Sequence, residues 1–216
     1  MKVVKIIKIL RKRYPKRFQF GDPFRVLIST ILSQRTKDEN TRKASKDLFS
    51  KFKNARQISK SNEKEIRKLI KPAGFYQQKA KNIRGLSKIL VEKYEGKVPK
   101  SMEELLALPG VGEKTASCVL LYGYKIDRIP VDIHVFRISN RIGIVKTKNP
   151  EETEKQLMEV IPKIYWKDVN ELFVQFGKEI CKSKPKCEIC PIKRYCNFYL
   201  KKGDKSSVAI SPSFGK

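Results

Sequence analysis

The segment Leu108-Pro-Gly-Val-Gly-Glu-Lys-Thr-Ala116 decides the fold, because it places a glycine-rich turn between two stretches with a helical pattern. Such a segment forms a tight hairpin between two helices. Gly110 and Gly112 are expected to take positive φ, which turns backbone N–H groups, including that of Val111, outward into a small anion cradle. The positive end of the second helix adds to this field, so the hairpin is predicted to hold a phosphate group.

Two other interpretations of this hairpin compete with the phosphate cradle. The first is an ordinary glycine-rich turn between packed helices, and the second is a nucleotide-binding P-loop. The P-loop is excluded because Glu113 separates Gly112 from Lys114 and no strand precedes the glycines. A weaker copy of the pattern lies at residues 70–80, where an ordinary turn is an equally good interpretation.

The rest of the chain also has the periodicity of helices, and strand-like alternation never persists for more than a few residues. Asp22-Pro23 has the N-cap and the first-turn proline of a helix start. Further helices are predicted to begin at Asp38 and Asn62. Later helices are predicted near residues 75–93, 102–107, 113–122, 132–141, 151–161 and 167–180. The connections are short and contain Gly or Pro, so the fold class is all-α.

The charge of the chain indicates a polyanionic partner. Lysine and arginine total 49 residues against 22 acidic ones, which gives a formal net charge of +27 and a pI near 10.0. An excess of this size favours nucleic acid. No apolar stretch approaches the roughly 18–20 residues that a membrane span needs, so no membrane association is predicted.

The N-terminus and the cysteines indicate the compartment. Two lysines interrupt the apolar run of residues 1–10 and no cleavage site follows, so this run is not a signal peptide. Val4, Ile7 and Leu10 form the stripe of a docked helix, with a membrane-surface helix as the alternative. Four of the five cysteines lie close to the C-terminus, unlike a secreted disulfide framework. The expected location is therefore cytoplasmic or nuclear.

Lys114 and Asp132 are candidates for chemistry. The predicted helix over 113–122 has Lys114 in its first turn, and the nine residues that follow it are long enough to bring Asp132 back to the same end of that helix. Helix N-termini and partial burial both disfavour an ammonium group, and a neutral amine is a competent nucleophile. The carboxylate would relay protons or stabilise positive charge on a sugar ring. The competing interpretation of Asp132 is a purely structural helix N-cap.

The cysteine spacing is the most specific signal in the chain. Cys181-x5-Cys187-x2-Cys190-x5-Cys196 predicts a metal site within one loop. Structural zinc sites usually pair two short Cys knuckles, whereas this loop has only one short pair, which favours an iron–sulfur cluster over zinc. Lys193 and Arg194 lie between the ligands and are predicted to grip phosphates. The fifth cysteine, on a predicted core helix, is expected to be an inert buried thiol.

Taken together, the hairpin, the Val131-Asp132-x-His134 segment and the four-cysteine loop resemble the endonuclease III family of DNA glycosylases, over residues 20–197. This family belongs to the superfamily defined by a helix-hairpin-helix, a Gly/Pro-rich loop and an aspartate. The resemblance implies two helical domains with a DNA groove between them. A six-helix barrel covers residues 22–131. Residues 1–21 and 132–200 form the second domain with a [4Fe-4S] cluster, and residues 201–216 are expected to be a flexible tail.

The resemblance also implies an activity and its catalytic residues. Lys114 matches the lysine that attacks C1′ of the damaged nucleotide, and Asp132 matches the assisting aspartate. The implied reaction is excision of oxidised pyrimidines from double-stranded DNA, followed by β-elimination at the abasic site. Relatives that only remove the base have Tyr or Ser in place of this lysine, so a monofunctional mismatch glycosylase is a weaker alternative.

Further DNA contacts follow from the same resemblance. Phe75 matches an apolar wedge that fills the space left by a flipped nucleotide, with simple core packing as the alternative. The family's gap-filling glutamine aligns with Arg35, while Gln34 precedes it, so either residue is a candidate. His134 matches a histidine near the flipped strand, although a packed helix histidine is an equal alternative. The first cysteine gap is five residues, whereas the family usually has six.

Two functions from other classes compete with this enzyme. One is a non-catalytic DNA-binding module that has the same hairpin and a structural metal. The other is an electron-transfer protein, which explains neither the net charge of +27 nor the long helical scaffold. The protein is expected to act as a monomer on damaged or abasic duplex DNA.

Overall fold

The computed structural model describes residues 1–15 and 20–202, and the regular structure of this part of the chain is helical. The all-α class is confirmed, since the described residues contain no β-strand. The α-helices are α1 (Lys2–Arg13), α2 (Pro23–Ser33), α3 (Asp38–Lys51), α4 (Ala55–Lys60), α5 (Glu63–Leu69), α6 (Tyr76–Tyr94), α7 (Met102–Leu106), α8 (Glu113–Cys118), α9 (Ile133–Ile142), α10 (Pro150–Val160), α11 (Trp166–Glu179) and α12 (Asn197–Lys202).

The chain divides into two compact units. One unit, called here the hairpin unit, comprises Gln19–Ile126. The other, called the cysteine unit, comprises Met1–Phe18 together with Asp127–Lys216. The sequence places the corresponding boundaries at residues 22 and 131. The predicted tail starts inside α12, and residues 203–216 lie outside the described part of the chain.

Helix α2 is central to the hairpin unit. Asp22 caps it by accepting a hydrogen bond from the Arg25 N–H at 2.9 Å, and Pro23 occupies the first turn, as the sequence predicts. Its apolar residues are fully buried against α3, α6 and α8. These residues are Leu27, Ile28, Ile31 and Leu32. The C-terminal end of α2 is thereby fixed, and it leads directly into residues 34–36.

Helix α1 docks within the cysteine unit, as predicted, but through a wider face than the sequence suggests. Ile6, Ile7 and Leu10 are fully buried and Val3 is nearly so, whereas Val4 is only partly buried. The apolar face thus begins one residue earlier than the predicted stripe of Val4, Ile7 and Leu10. Helix α1 packs on α11, which in turn packs on α9.

Two local features differ from the sequence-based expectation. Helix α4 has six residues, too few for an apolar period to be recognised, yet it packs closely on α6. The helix predicted over 113–122 changes to a π-helical turn at Val119–Gly123. Gly123 lies so close to α2 that a Cβ atom there would be 2.9 Å from Pro23 Cα.

None of the helices in the described residues combines the length and the apolar character that crossing a membrane requires.

Candidate active site

The hairpin between α7 and α8 has the backbone conformation of a tight turn, with one correction to the prediction. Gly110 takes φ +79°, and a Cβ atom there would lie 2.6 Å from the Asn82 side chain. Gly112 does not take positive φ. It has φ −111° and is the N-cap of α8. A Cβ atom on Gly112 would meet nothing within 4 Å, so this position faces open space.

The interior of the hairpin is apolar, which keeps the turn rigid. Leu108 is 2% exposed and Val111 is 8% exposed. The Val111 N–H donates to the Leu108 carbonyl at 3.1 Å. The Val111 N–H is therefore used inside the turn, contrary to the expectation that it faces outward, and its side chain belongs to the core.

Lys114 lies in the first turn of α8 and is half-buried. Its neighbour Thr115 is buried, and the Thr115 hydroxyl accepts a hydrogen bond from Gln34 Nε2 at 3.2 Å. Gln34 Nε2 also donates to the Gly110 carbonyl at 3.1 Å. Gln34 thus ties the end of α2 to the hairpin on both sides of Lys114.

Arg35 and Phe75 are exposed residues of two neighbouring turns. Arg35 has φ +48° and Phe75 has φ +53°, which are left-handed conformations that side-chain-bearing residues rarely adopt. The Phe75 side chain is 64% exposed, which contradicts the core-packing alternative. The Arg35 guanidinium lies 5.5 Å from the centre of the Phe75 ring, a cation–π contact.

In the cysteine unit, Asp132 is the N-cap of α9, which is the competing structural interpretation of this residue in the sequence analysis. Its Oδ1 accepts hydrogen bonds from the N–H groups of His134 and Val135 at 2.8 and 2.9 Å. One carboxylate oxygen of Asp132 therefore holds the start of α9.

His134 has the structural environment of a packed histidine. Burial lowers the pKa of His134 below its ordinary value, against the opposing effect of the Asp132 carboxylate. The neutral ring accepts a hydrogen bond at Nδ1 from Arg137 at 3.0 Å, since a guanidinium can only donate. Gly177 packs directly against this ring, where a Cβ atom would clash.

The four cysteines of the loop at residues 181–196 line one pocket. The side chains that surround it are largely apolar, and they include Ile142, Phe176, Ile180 and Ile192. All of the cysteines are free of disulfides. Burial raises the pKa of the Cys190 thiol to about 11, and the neighbouring cysteines act in the same direction.

Arginines of α9 fix the start of the cysteine loop. Arg137 donates to the Cys181 carbonyl at 2.9 Å, and Arg141 donates to the Lys182 and Ser183 carbonyls at 2.5 and 2.8 Å. These carbonyls follow the C-terminus of α11, where they would otherwise lack partners. The loop is thus anchored through its main chain.

The basic residues predicted to grip phosphates differ in their surroundings. Lys193 is half-buried and donates to the Glu188 carbonyl at 3.0 Å, so it belongs partly to the internal structure of the loop. Arg194 is exposed and lies 4.9 Å from the centre of the Tyr195 ring. Arg194 is the more accessible of the two cations.

Sequence reasoning missed Lys79, which is 4% exposed. Its Nζ donates to the carbonyls of Leu32 and Gln34 and to the Thr36 hydroxyl. The signal was present in the sequence, because Lys79 precedes Ile83 by one helical turn on the buried face of α6. A lysine on an apolar face needs internal acceptors.

The chain matches a known protein family and several known proteins. The profile of the HhH-GPD superfamily of base excision DNA repair proteins matches residues 28–163. The chain is 52% identical to endonuclease III of Thermotoga maritima over 193 residues, which cover 89% of this chain and 91% of that protein.

Solved structures are similar over nearly the whole fold. A trapped endonuclease III–DNA covalent intermediate has a TM-score of 0.84 at 33% identity and covers 94% of this chain and 99% of that one. A thermostable thymine-DNA glycosylase has a TM-score of 0.81 at 29% identity, covering 93% and 97%.

Proposed function

Because the chain belongs to the endonuclease III family of the HhH-GPD superfamily, and is therefore a base excision repair DNA glycosylase, we propose that Lys114 is the nucleophile of its reaction. The observation that supports this role is the position of Lys114, half-buried in the first turn of α8 directly after the hairpin. Proximity to a helix N-terminus disfavours the ammonium form, so the amine is more readily available for attack.

The proposed reaction proceeds through a Schiff base. The Lys114 amine attacks C1′ of the damaged nucleotide, and the bond from C1′ to the base breaks with its electrons leaving on the base. Opening of the sugar ring then gives an iminium between Nζ and C1′. Loss of a proton from C2′ expels the 3′ phosphate by β-elimination, and water releases the enzyme from the remaining imine. Lyase activity of this kind is characteristic of the family.

Asp132 is proposed to assist this reaction through its second carboxylate oxygen. Since Oδ1 is occupied by the two N–H groups of the α9 cap, the carboxylate is held in a fixed orientation. Oδ2 then stabilises positive charge that develops on the sugar, or accepts a proton during ring opening.

The substrate is double-stranded DNA, and the relatives named above include endonuclease III trapped on DNA. The hairpin at Gly110–Gly112 is proposed to hold a backbone phosphate, supported by the open space at Gly112 and the net charge of +27. Arg35, Phe75 and Gln34 are proposed to contact the duplex at the flipped nucleotide, and His134 and Arg194 to contact DNA nearby. Oxidised pyrimidines are the proposed lesions.

The cysteine loop is proposed to hold a [4Fe-4S] cluster through Cys181, Cys187, Cys190 and Cys196. The residues fit such a group, because all four thiols line a single cavity with largely apolar walls. The spacing Cys181-x5-Cys187-x2-Cys190-x5-Cys196 has only one short cysteine pair, which favours a cluster over a structural zinc site. The cluster would supply folding energy to the cysteine unit.

Borohydride reduction of the Schiff base tests this function. The protein, mixed with duplex DNA that contains one oxidised pyrimidine, is expected to form a covalent adduct. Lys114→Gln removes the amine and leaves a neutral polar side chain that is one atom shorter, so excision should fall by a factor on the order of 10⁴ or more with DNA binding retained.

Lys81→Gln provides the matched control, because it removes the same charge from an exposed site on α6. It should form the adduct at the wild-type rate. Adduct formation by Lys114→Gln at the wild-type rate would exclude the proposed nucleophile. Absence of any adduct in the wild type, with base release intact, would indicate a monofunctional glycosylase, and binding without either activity would indicate a passive module.

A further inference from the structure

Lys79 is buried in the hairpin unit and uses its whole hydrogen-bonding capacity there. Its Nζ lies 2.8 Å from the Leu32 carbonyl oxygen, 2.5 Å from that of Gln34 and 2.9 Å from Thr36 Oγ1. An ammonium group has three protons and no acceptor, so these three oxygens account for all of its donors. The two carbonyls belong to the C-terminal end of α2, where they lack partners within the helix.

These contacts join two turns, defined here as the paired turns: residues 34–36 after α2 and residues 72–75 before α6. The Thr36 hydroxyl accepts from Lys79 and from the Gly74 N–H at 3.0 Å, and it donates to the Gln34 carbonyl at 3.0 Å. A hydroxyl with one proton and two lone pairs is thereby fully used. Lys79 itself lies one helical turn after Phe75, and its N–H donates to the Phe75 carbonyl at 3.0 Å.

The two turns touch through their main chains. A Cβ atom on Gly74 would lie 2.5 Å from the Arg35 carbonyl oxygen, so only glycine allows this approach. Directly beside the contact, Arg35 and Phe75 both have positive φ and both are exposed. Neither conformation is favoured by the isolated residue, so the surrounding network must hold both.

We propose that Lys79 is a positioning residue for base excision, which holds the paired turns together so that Arg35 and Phe75 project as one composite wedge. This inference rests on the proposed function, because the wedge has a purpose only if the enzyme extrudes a nucleotide from duplex DNA. Arg35 and Phe75 would enter the stack together, which explains why the guanidinium lies over the ring. Lys79 touches neither the DNA nor the reacting atoms.

The electrostatics of the site agree with a structural use of the ammonium group. Burial lowers the pKa of Lys79 to about 8. The oxygen acceptors and the negative end of the α2 dipole favour the charged form. A methionine or leucine would fill this position without the free-energy cost of burying a charge. The reason for a lysine here is therefore its three hydrogen bonds, which hold the three oxygens in place.

The test compares two substrates for Lys79→Met, which keeps the unbranched chain as far as Cε and removes the three donors on Nζ. One substrate is a duplex with an oxidised pyrimidine, which requires nucleotide flipping. The other is a single strand with an abasic site, which has no stack to invade and no opposing base. Single-turnover rates on the duplex should fall about 10- to 100-fold, whereas cleavage of the single strand should stay within about twofold of wild type.

The matched control is Lys81→Met, which removes the same charge from the exposed side of α6 and should leave both rates unchanged. Thr36→Val, which is nearly isosteric, interrupts the same network and should reproduce the duplex defect if Lys79→Met folds poorly. A 2-aminopurine base placed opposite the lesion should show reduced fluorescence enhancement in both network variants, because the composite wedge no longer separates the stack.

The outcomes separate this inference from the proposed function. An equal loss of both rates would assign Lys79 to general stability, and no loss on the duplex would remove its role altogether; either result overturns the inference. If the wild-type protein gives no borohydride adduct on the single-stranded abasic site, then the lysine nucleophile fails instead, whatever the behaviour of Lys79→Met.

Discussion

The paired turns and the cysteine loop are both irregular segments with exposed cations, yet different forces hold them. In the paired turns, a buried ammonium, a threonine hydroxyl and a glycine contact complete a network made only of protein atoms. In the cysteine loop, the arginines of α9 anchor the main chain at one end, while four thiols face a shared cavity. The first region is held entirely by contacts within the protein, whereas the second has four thiols that are proposed to hold a cluster.

Because the two regions are held differently, we expect the removal of a single side chain to affect them unequally. Removing a side chain from the paired turns should change the wedge while the unit around it stays folded. Removing a cysteine should affect the whole cysteine unit, because metal binding in such a loop is also folding energy.

The largest expected effect is that of Cys187→Ser. Loss of one ligand should remove the visible absorbance of the cluster and destabilise the cysteine unit by about 3 kcal/mol or more. Hydrogen exchange should show lost protection in α9 and α11, with α2 and α6 protected as in the wild type.

Cys118→Ser is the control for this change, because Cys118 is a buried cysteine in the hairpin unit. It should keep the absorbance. A colourless wild-type protein with stoichiometric zinc would contradict the cluster, and uniform loss of protection in Cys187→Ser would contradict the independence of the two regions.

The next effect in size is a pH dependence of the free energy of unfolding, caused by the buried Lys79. Its folded pKa of about 8 lies below the ordinary value, so the unfolded chain binds more protons between about pH 8 and pH 10. The free energy of unfolding should therefore rise with pH in this window, by about 2 kcal/mol relative to Lys79→Met. Urea unfolding of both proteins at pH 7.5 and 10 measures this difference.

A constant difference between the two proteins across that window would show that Lys79 titrates at its ordinary value. Comparison with Lys79→Met cancels the other lysines and tyrosines, which titrate in both proteins. Lys81→Met, with its exposed side chain, should show no such slope.

The smallest effect on stability is expected from Asp132→Asn, which separates the cap from the chemistry. Asparagine caps helices about as well as aspartate, so the free energy of unfolding should change by less than about 0.5 kcal/mol. Excision should fall about 100-fold or more because the carboxylate charge is lost. Circular dichroism melts and single-turnover assays measure the two quantities.

Asp22→Asn is the matched control, since Asp22 caps α2 through the same type of hydrogen bond. It should change neither stability nor excision. Wild-type excision by Asp132→Asn would reduce Asp132 to a structural cap.

Local sequence patterns predicted the helix starts, the hairpin and the cysteine loop, because each depends on residues close together in the chain. Asp22-Pro23 and Asp132 cap helices as their sequence context indicates. Gly112 was predicted wrongly to have positive φ, since a glycine is equally suited to an open N-cap position. Ile7 and Leu10 of the predicted α1 stripe are buried, but Val3 takes the buried place predicted for Val4, because the two valines are chemically equivalent in the sequence.

The network around Lys79 was beyond sequence reasoning for a physical reason. Its acceptors lie more than 40 residues away along the chain, and two of them are backbone carbonyls, which every residue type possesses. The exposure of Phe75 likewise depends on a left-handed conformation that only the packed turns impose. Which of Gln34 and Arg35 fills the gap left by a flipped base stays a prediction. The two residues differ in the structure, because Gln34 is bonded to the hairpin whereas Arg35 lies beside Phe75.

The most direct test of the central claim is to map the residue that becomes attached to DNA. After borohydride reduction on an abasic duplex, nuclease and protease digestion followed by mass spectrometry should find the deoxyribose remnant on Lys114 alone. Attachment to the Met1 amine or to another lysine would contradict the proposed nucleophile.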